Sequence, residues 1–246
     1  MTARVTEELV LDDEIRRVRN VYARYDGDPG EQAKRERENP GLVAIRSERD
    51  RTLDLLFRQE QLLPLTDKRI LDIGCGRGDD LADFCRGGAS PGNCVGVDVL
   101  PDRIESARVA YPEIEFVIAD GRRLPFEGES FDLVFAYIVF SSILDPRVAF
   151  DLAAEMRRLV APGGAVVWWD NRFPTPWNHD VRGYDLRALT SLFPGWLMRA
   201  RSVTLLPPLA RRLGRTARWG YGPLCGIPLL RARYLCVIRR PMETST

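Results

Sequence analysis

Four apolar segments of this 246-residue chain end in a glycine-rich or acidic turn. The turns are Gly-Cys-Gly-Arg-Gly at 74–78, Asp98, Asp120-Gly121 and Asp170. Glycines between a strand and a helix leave backbone N–H groups open to a ligand, because no Cβ blocks a close approach. A carboxylate about 20 residues after such a turn lies where the two hydroxyls of a ribose bind, and it can accept from both. The turns therefore predict a nucleoside site, in which Asp120 can accept from a purine amine.

These turns belong to an alternation of short apolar runs and helical patterns that begins at Lys68. The runs predict strands at 69–73, 93–97, 114–119, 131–137 and 165–169. The helical patterns predict helices at 79–86, 101–111, 147–160 and 185–193, the third of which is stopped by Pro-Gly-Gly at 162–164. Alternation at this spacing indicates a parallel sheet covered by helices on both faces. In such a sheet the carboxyl ends of the strands share one edge, so the four turns should converge there.

The chain before the alternation has a different pattern. Residues 5–24 and 42–63 space apolar residues among charges as amphipathic helices do, and the polar residues 31–41 between them should be exposed. We expect residues 1–64 to form a helical extension or cap. Residues 65–246 should form the main domain.

The C-terminal part of the chain is strongly basic. Residues 199–206 and 234–239 are expected to pair as antiparallel strands, with a Pro-, Gly- and Arg-rich insertion at about 206–231. From Leu186 to Met242 there are eleven arginines and no Asp or Glu, although the net charge of the whole chain is only +1. The arginines either solvate outer faces or contact a polyanion or a membrane surface.

Cysteine and histidine usage bounds the chemistry. The five cysteines contain no C-x-x-C pair and His179 is the only histidine, so we expect no metal site. An odd number of cysteines suits reduced thiols in the cytosol. The first 13 residues are polar and acidic, and no run approaches the about 20 apolar residues of a membrane span. These features predict a cytoplasmic protein without a transmembrane segment, and they leave its oligomeric state open.

Several motifs resemble, in the same order, those of class I S-adenosylmethionine-dependent methyltransferases of the type 11-like kind. They are Ile-Leu-Asp-Ile-Gly-Cys-Gly-Arg-Gly at 70–78, Val-Gly-Val-Asp at 95–98, Ala-Asp-Gly at 119–121, Leu-Pro-Phe at 124–126, Ser-Phe-Asp-Leu-Val at 130–134 and Arg-Leu-Val-Ala-Pro-Gly-Gly at 158–164. A nicotinamide site is the competing interpretation, but Gly-x-Gly-x-Gly departs by one residue from Gly-x-Gly-x-x-Gly. The resemblance implies an α/β fold, a Rossmann-like, doubly wound seven-stranded sheet that is mostly parallel with an antiparallel terminal strand. It also implies S-adenosyl-L-methionine as the cofactor.

The same resemblance implies which residues hold that cofactor. Along the chain they are Asp72, Gly74, Cys75, Gly76, Gly78, Asp98, Val99, Asp120, Gly121, Tyr137 and Ile138. Asp72 and the glycine turn would lie against the methionine part of the cofactor. Asp98 would bind the ribose and Asp120 the adenine. Tyr137 or Ile138 would lie beside the sulfonium and the acceptor, whereas Cys75 is a small loop residue rather than a nucleophile.

Three charged residues of the second predicted helix lie close in sequence to the glycine turn. They are Arg46, Glu48 and Arg49. An arginine here could reach the carboxylate of the cofactor, because guanidinium and carboxylate groups pair well. Ordinary exposed helix charges are the alternative, and the more common one.

Methyl transfer to a hydroxyl requires a base, for which histidine is the usual side chain near neutral pH. His179 lies in the loop after the fifth predicted strand, at the edge where the acceptor must lie. We predict it to be the catalytic base, oriented by Asp180 or Asp170. A surface histidine in a loop is the alternative. Trp177 of the same loop could line an acceptor pocket.

Three acceptor classes remain open. The polar and aromatic loop 172–180 favours O-methylation of a small molecule, a sugar or another natural-product or glycan hydroxyl. The arginines could serve a nucleic-acid acceptor, but Ala-Tyr-Ile-Val-Phe at 136–140 differs from the Asn/Asp-Pro-Pro-Tyr of amino-directed enzymes, which argues against a nucleic acid. A lipid-linked acceptor at a membrane surface is the third class, since residues 205–213 combine apolar and basic positions as an interfacial helix does.

Overall fold

The computed structural model describes residues 13–33, 38–175 and 178–241. Its N-terminal helices are α1 (Asp13–Gly27), α2 (Pro29–Ala33) and α3 (Pro40–Gln59). The predicted helix at 5–24 is thus found as α1, and its first residues lie outside the described part. The second predicted helix begins two residues earlier than expected, because Asn39 caps it by accepting from the N–H of Gly41 at 3.0 Å. Residues 31–33, at the start of the segment predicted to be exposed, belong to α2, and no residue of α2 is buried.

Seven strands form one sheet in the order β3-β2-β1-β4-β5-β7-β6. The strands are β1 (Ile70–Ile73), β2 (Cys94–Asp98), β3 (Glu115–Ile118), β4 (Phe131–Tyr137), β5 (Val160–Asn171), β6 (Leu197–Leu205) and β7 (Arg231–Arg239). The five strands from β3 to β5 are parallel neighbours, and β7 runs antiparallel between β5 and β6. The mostly parallel fold with an antiparallel strand near its end is confirmed. The strand order reverses at β1 and β4, where such sheets bind ligands.

Helices cover both faces of the sheet. Those that follow β1 in the chain are α4 (Asp79–Arg86), α5 (Pro101–Ala110), α6 (Pro146–Leu159), α7 (Leu186–Leu192), α8 (Pro207–Leu213) and α9 (Ala217–Cys225). Side chains alternate across a strand, so Phe135 faces α3, α4 and α5 while its neighbour Val134 faces α6 and α7. Both residues are fully buried. The parallel strands are apolar on both faces because each face carries its own core.

The predicted boundary between α6 and β5 is wrong. We expected Pro-Gly-Gly at 162–164 to separate the helix from a strand that starts at 165, but β5 begins at Val160 directly after the helix. The tripeptide lies inside the strand, where the register against β4 shifts. Gly163 has a φ of +75°, and a Cβ on Gly164 would lie 2.6 Å from the carbonyl oxygen of Asp132. Glycine is therefore required for a bulge rather than for a turn.

The basic stretch at 206–231 folds into α8, α9 and short 3₁₀ turns that pack on α3 and β6. The strands on either side of it, β6 and β7, pair antiparallel as predicted. Both are longer than predicted, and their pairing extends to Leu205 opposite Arg231. Across β7 and β5, Arg233 lies opposite Asn171. The stretch consequently emerges at the carboxyl end of β5. Among the described residues, every helix is too short or too polar to cross a membrane.

Candidate active site

A cavity of about 490 Å³ opens at the carboxyl ends of β1, β2, β3 and β4. Its floor is the glycine turn after β1 and the turns that follow the other three strands, and α1 covers it. Nine of the eleven predicted cofactor residues line this cavity; Asp72 and Gly78 do not. The turns after β1, β2 and β3 converge as expected, because these strands are parallel and adjacent, whereas Asp170 of the fourth predicted turn does not line the cavity.

The glycine turn has a left-handed backbone at alternate positions. The φ angles of Gly74, Gly76 and Gly78 are +74°, +56° and +81°. A Cβ on Gly74 would lie 2.6 Å from Cγ2 of Val139, so glycine lets the Val139 side chain pack against the turn. A Cβ on Gly78 would lie 2.5 Å from the ring of Phe116, and Gly78 precedes the first residue of α4. The structure thus gives Gly78 a packing role beneath the turn rather than a place on the cavity wall.

Asp98 ties the glycine turn to the end of β2. One carboxylate oxygen accepts the N–H of Gly76 at 2.9 Å, and the other accepts the N–H of Leu100 at 2.9 Å. Burial raises the pKa of Asp98, and the two backbone hydrogen bonds oppose that rise. Each oxygen keeps a second lone pair, so the carboxylate can still accept from a ligand in the cavity.

Asp120 lies at the end of β3 with its carboxylate bound by a residue that the sequence did not single out. Nε of Arg122 donates to Asp120 at 2.8 Å, and the N–H of Arg122 donates at 3.0 Å. Both side chains are about one-fifth exposed, and both residues line the cavity. The adjacent Gly121 is held close to the sheet, because a Cβ there would lie 2.8 Å from Ile73.

Asp72 lies behind the cavity wall, in the middle of β1. It is 3% exposed, and its Oδ1 is buried without a hydrogen-bond partner among the described residues. Burial raises the pKa of Asp72 well above its ordinary value, the carboxylates of Asp80 and Asp98 add to the rise, and the cation of Arg49 opposes it. The predicted contact of Asp72 with the cofactor is not part of the cavity geometry and stays a prediction.

Arg49 is a buried cation beside the site. It is 2% exposed, pairs with Asp50 and Asp80 at 2.8 Å, and stacks on the rings of Tyr137 and Trp169 at 4.8 and 4.9 Å. Asp80 and Tyr137 line the cavity, and Arg49 supports them from behind. It is therefore not an ordinary exposed helix charge.

The remaining predicted residues lie on the cavity wall in different ways. The hydroxyl of Tyr137 is buried without a hydrogen-bond partner among the described residues. Ile138 has a φ of +56° and donates its N–H to the carbonyl of Trp169 at 2.8 Å. The carbonyl of Val99 accepts from Arg19 of α1 at 2.9 Å. Burial raises the pKa of Cys75, which favours the thiol over the thiolate.

The predicted catalytic pair lies outside the cavity lining. His179 is exposed, and Asp170 is fully buried. The oxygens of Asp170 accept the N–H groups of Ser141 at 2.9 Å and Asn171 at 2.7 Å. Its contacts hold the turn after β4 and give no support to the predicted role of orienting His179. The role of His179 as a base stays a prediction, and Trp177 lies outside the described residues.

Helix α1 brings residues to the cavity that the sequence did not single out. Glu14, Tyr22 and Asp26 line it together with apolar residues of the same helix face. Glu14 accepts the N–H of Leu144 at 2.6 Å, and the Tyr22 ring lies 4.4 Å from the guanidinium of Arg103. The periodicity predicts an amphipathic helix, but it carries no signal for the surface that the helix covers.

The residues present fit S-adenosylmethionine. Two carboxylates at adjacent strand ends can accept from a ribose and an adenine amine, and the buried Tyr137 hydroxyl has no hydrogen-bond partner in the described part of the chain. The backbone at Gly76 is open on its cavity side, because the nearest atom to a Cβ built there belongs to the Arg103 side chain, at 3.9 Å. The cavity is lined by six acidic residues and three arginines, which suits a ligand with a sulfonium and an ammonium group.

Comparison with known proteins also indicates a methyltransferase. A family model described as a methyltransferase domain matches residues 70–164. Demethylmenaquinone methyltransferase of Clavibacter sepedonicus is 35% identical over 127 residues, which are 50% of this chain and 49% of that protein. Phthiotriol/phenolphthiotriol dimycocerosates methyltransferase 1 of Mycobacterium ulcerans is 32% identical over 143 residues, 56% of this chain and 51% of that one. The chain spans about half the length of these curated relatives.

Among solved structures, an S-adenosylmethionine-dependent methyltransferase from Methanosarcina mazei superposes with a TM-score of 0.56. It is 17% identical, and the match covers 76% of this chain and 98% of that one. At this identity the likeness establishes the fold alone. The two chains therefore share the overall fold over the matched part.

Proposed function

Since the chain carries a class I S-adenosylmethionine-dependent methyltransferase domain, we propose that it transfers the methyl group of S-adenosylmethionine to a hydroxyl oxygen of a small molecule, a sugar or a glycan. One observation carries the proposal. Asp98, Asp120 and Tyr137 line one cavity at the strand ends. Two of these groups suit the nucleoside, and the third lies where the reacting part of the cofactor would be.

When bound, the cofactor supplies a methyl group on a sulfonium, and the chain's own residues position it. Asp98 and Asp120 would hold the ribose and the adenine. The acidic lining, which includes Asp79 and Asp80, would favour the positive charge of the bound cofactor. In-line displacement depends on orientation and on exclusion of water, and α1 closes the cavity on its outer side.

We also propose that residues 1–64 act as a cap on a main domain formed by residues 65–246. The contacts of α1 support this division. Arg17 donates to the carbonyl of Ser142, and the hydroxyls of Tyr22 and Ser142 lie 3.2 Å apart. These contacts join the helix to the turn after β4, beside the place where an acceptor would bind.

His179 remains the proposed base, and the position of its turn supports the proposal. Asn178 donates to the hydroxyl of Tyr25 at 3.2 Å, and that hydroxyl and Arg24 both donate to Asp180. The turn is thus fixed to the end of α1, near Asp26 of the cavity wall. A rotation of the exposed imidazole towards an acceptor would bring a base to the hydroxyl proton.

The experiment measures S-adenosylhomocysteine released with a panel of hydroxylated acceptors, among them quinols, sugars and polyol lipids. An accepted compound should lose all activity when its hydroxyl is replaced by hydrogen. Release that persists with the deoxy compound would contradict O-methylation. On the accepted compound His179→Gln should lower kcat about 100-fold or more. Full turnover of this variant would refute the base, while the transfer itself would stand.

A further inference from the structure

The segment from 206 to 231 has a buried inner face and an exposed outer face. Ala217, Tyr221 and Cys225 recur every four residues and are buried against the rest of the protein. Trp219 and Leu229, on the outer side, are 70% and 83% exposed. With Ile227, three large apolar side chains are exposed within eleven residues, whereas the other exposed ones in the described part of the chain are spread between residues 43 and 197. A concentration of this kind marks an interaction surface.

The charged side chains of this surface are all positive. Arg212, Arg215 and Arg218 are exposed, and the guanidinium of Arg218 lies 4.6 Å from the ring centroid of Trp219. The sequence contains no Asp or Glu from Leu186 to Met242, so the segment has no acid of its own to balance these arginines. An anionic partner is therefore favoured.

The surface emerges at the same edge of the sheet as the cavity. The segment follows β6 and precedes β7, whose first residues lie at the carboxyl end of β5. Arg233 of β7 lies 4.6 Å from the Trp169 ring, and that ring lies 5.7 Å from the ring of Tyr137 on the cavity wall. One layer of side chains thus joins the cavity wall to the base of the segment.

We propose that the outer face of residues 212–229 docks on the surface of an anionic lipid bilayer. Tryptophan prefers the membrane–water interface, leucine and isoleucine can enter the acyl boundary, and arginines bind anionic headgroups. Residues 212–229 combine all three within two short helices and the 3₁₀ turns beside them. Docking itself does not depend on methyl transfer. The consequence that the acceptor is an amphipathic molecule drawn from the bilayer rests on the proposed function.

A bilayer fits this surface better than a nucleic acid. Phosphate contacts would use the arginines, and an aromatic ring could stack on a base. Neither kind of contact explains why Ile227 and Leu229 are exposed. Ile227 directly precedes the 3₁₀ turn at 228–230, and Leu229 lies in that turn. Transfer of aliphatic side chains from water to the acyl boundary of a bilayer is favourable, so a bilayer explains their exposure beside a tryptophan.

Co-sedimentation of the full chain with vesicles tests the proposal. The protein should bind vesicles of phosphatidylcholine with phosphatidylglycerol far better than pure phosphatidylcholine, and salt should weaken the binding. Each arginine near an anionic surface contributes about fivefold, so R215Q with R218Q should weaken binding about 25-fold. Burial of a large apolar side chain contributes about tenfold or more, so L229S alone should weaken it at least that much.

Matched controls come from exposed residues on other elements. Val109 is 85% exposed on α5, and the Arg147 side chain is 89% exposed on α6. V109S and R147Q should bind vesicles as the wild type does. Titration with S-adenosylhomocysteine checks that each variant is folded, and L229S, in a short turn, is the variant least able to disturb the core.

Equal vesicle binding by the wild type and by folded L229S would overturn the proposal. Wild-type binding to duplex DNA or RNA without binding to anionic vesicles would overturn it too, and would assign the arginines to a polyanion. Vesicle binding by a wild type that does not bind S-adenosylhomocysteine would instead refute the proposed function and leave the docking surface intact.

Discussion

Replacing Asp98 with asparagine tests the carboxylate at the end of β2. Asp98 is 8% exposed, and its two oxygens accept the N–H groups of Gly76 and Leu100, each at 2.9 Å. An asparagine keeps one acceptor oxygen, but its NH2 group only donates. The variant therefore loses the charge and one of the two acceptors that a ribose would meet.

The magnitude follows from the value of that acceptor. A hydrogen bond to a charged group contributes about 1.5–3 kcal/mol, so the Kd for S-adenosylhomocysteine should rise about 10- to 150-fold. Burial raises the pKa of Asp98, and protonation removes the same acceptor. The wild type should consequently lose affinity as the pH falls through that raised pKa. The variant should lack this component of the pH dependence.

Isothermal titration calorimetry measures the affinity, and Asp132→Asn is the matched control. Asp132 also accepts a backbone hydrogen bond, from the N–H of Arg69 at 2.8 Å, but at the opposite end of the sheet. This control should bind S-adenosylhomocysteine as the wild type does. A change of less than about threefold in a folded Asp98→Asn variant, well below the range expected for a charged acceptor, would refute the ribose assignment.

Three further predictions concern stability. Gly74→Ala should lower the free energy of unfolding, measured by urea titration, by about 1–3 kcal/mol more than Gly88→Ala does. Both glycines have a positive φ, but only at Gly74 would the added Cβ lie 2.6 Å from a side chain, and equal losses in the two variants would contradict this overpacking. Burial raises the pKa of Asp170 from 3.8 to about 6, so the folded protein binds a proton between these values and the wild type loses stability as the pH rises through them. Asp170→Asn should thus gain about 3 kcal/mol relative to the wild type between about pH 4 and 7, and a pH-independent difference would contradict this. Arg49→Met should cost about 1.5–3 kcal/mol, because it removes the charged hydrogen bonds that Arg49 makes to the partly exposed carboxylates of Asp50 and Asp80, and a loss below about 0.5 kcal/mol would show that these pairs are not needed.

The sheet could be predicted from the sequence because its signals are local. Apolar runs of five to seven residues predicted β1, β2 and β4 to within a residue or two, and the first two of these runs end in a glycine turn or an acid. The parallel arrangement then followed from the helices between the strands. Asp98 and Asp120 could be placed at one cavity because parallel strands end at a common edge.

The errors concern contacts that connect distant parts of the chain. Pro-Gly-Gly at 162–164 has the sequence of a turn, and only its pairing with β4 makes it a bulge. Asp170 ends a strand as Asp98 does, yet it meets the backbone of Ser141 rather than the cavity. Arg49 reads as a surface charge until two aromatic rings and Asp80 enclose it. No spacing rule records which partner arrives from elsewhere in the fold.

Hydrogen exchange of the full chain with and without S-adenosylhomocysteine tests the central claim most directly. The cavity assignment predicts saturable protection at 74–78, at 98–100, at 119–122 and in α1, since these segments surround the cavity. It also predicts that NAD⁺ gives no protection there. Protection by NAD⁺, or by S-adenosylhomocysteine only at residues outside the cavity, would contradict the claim.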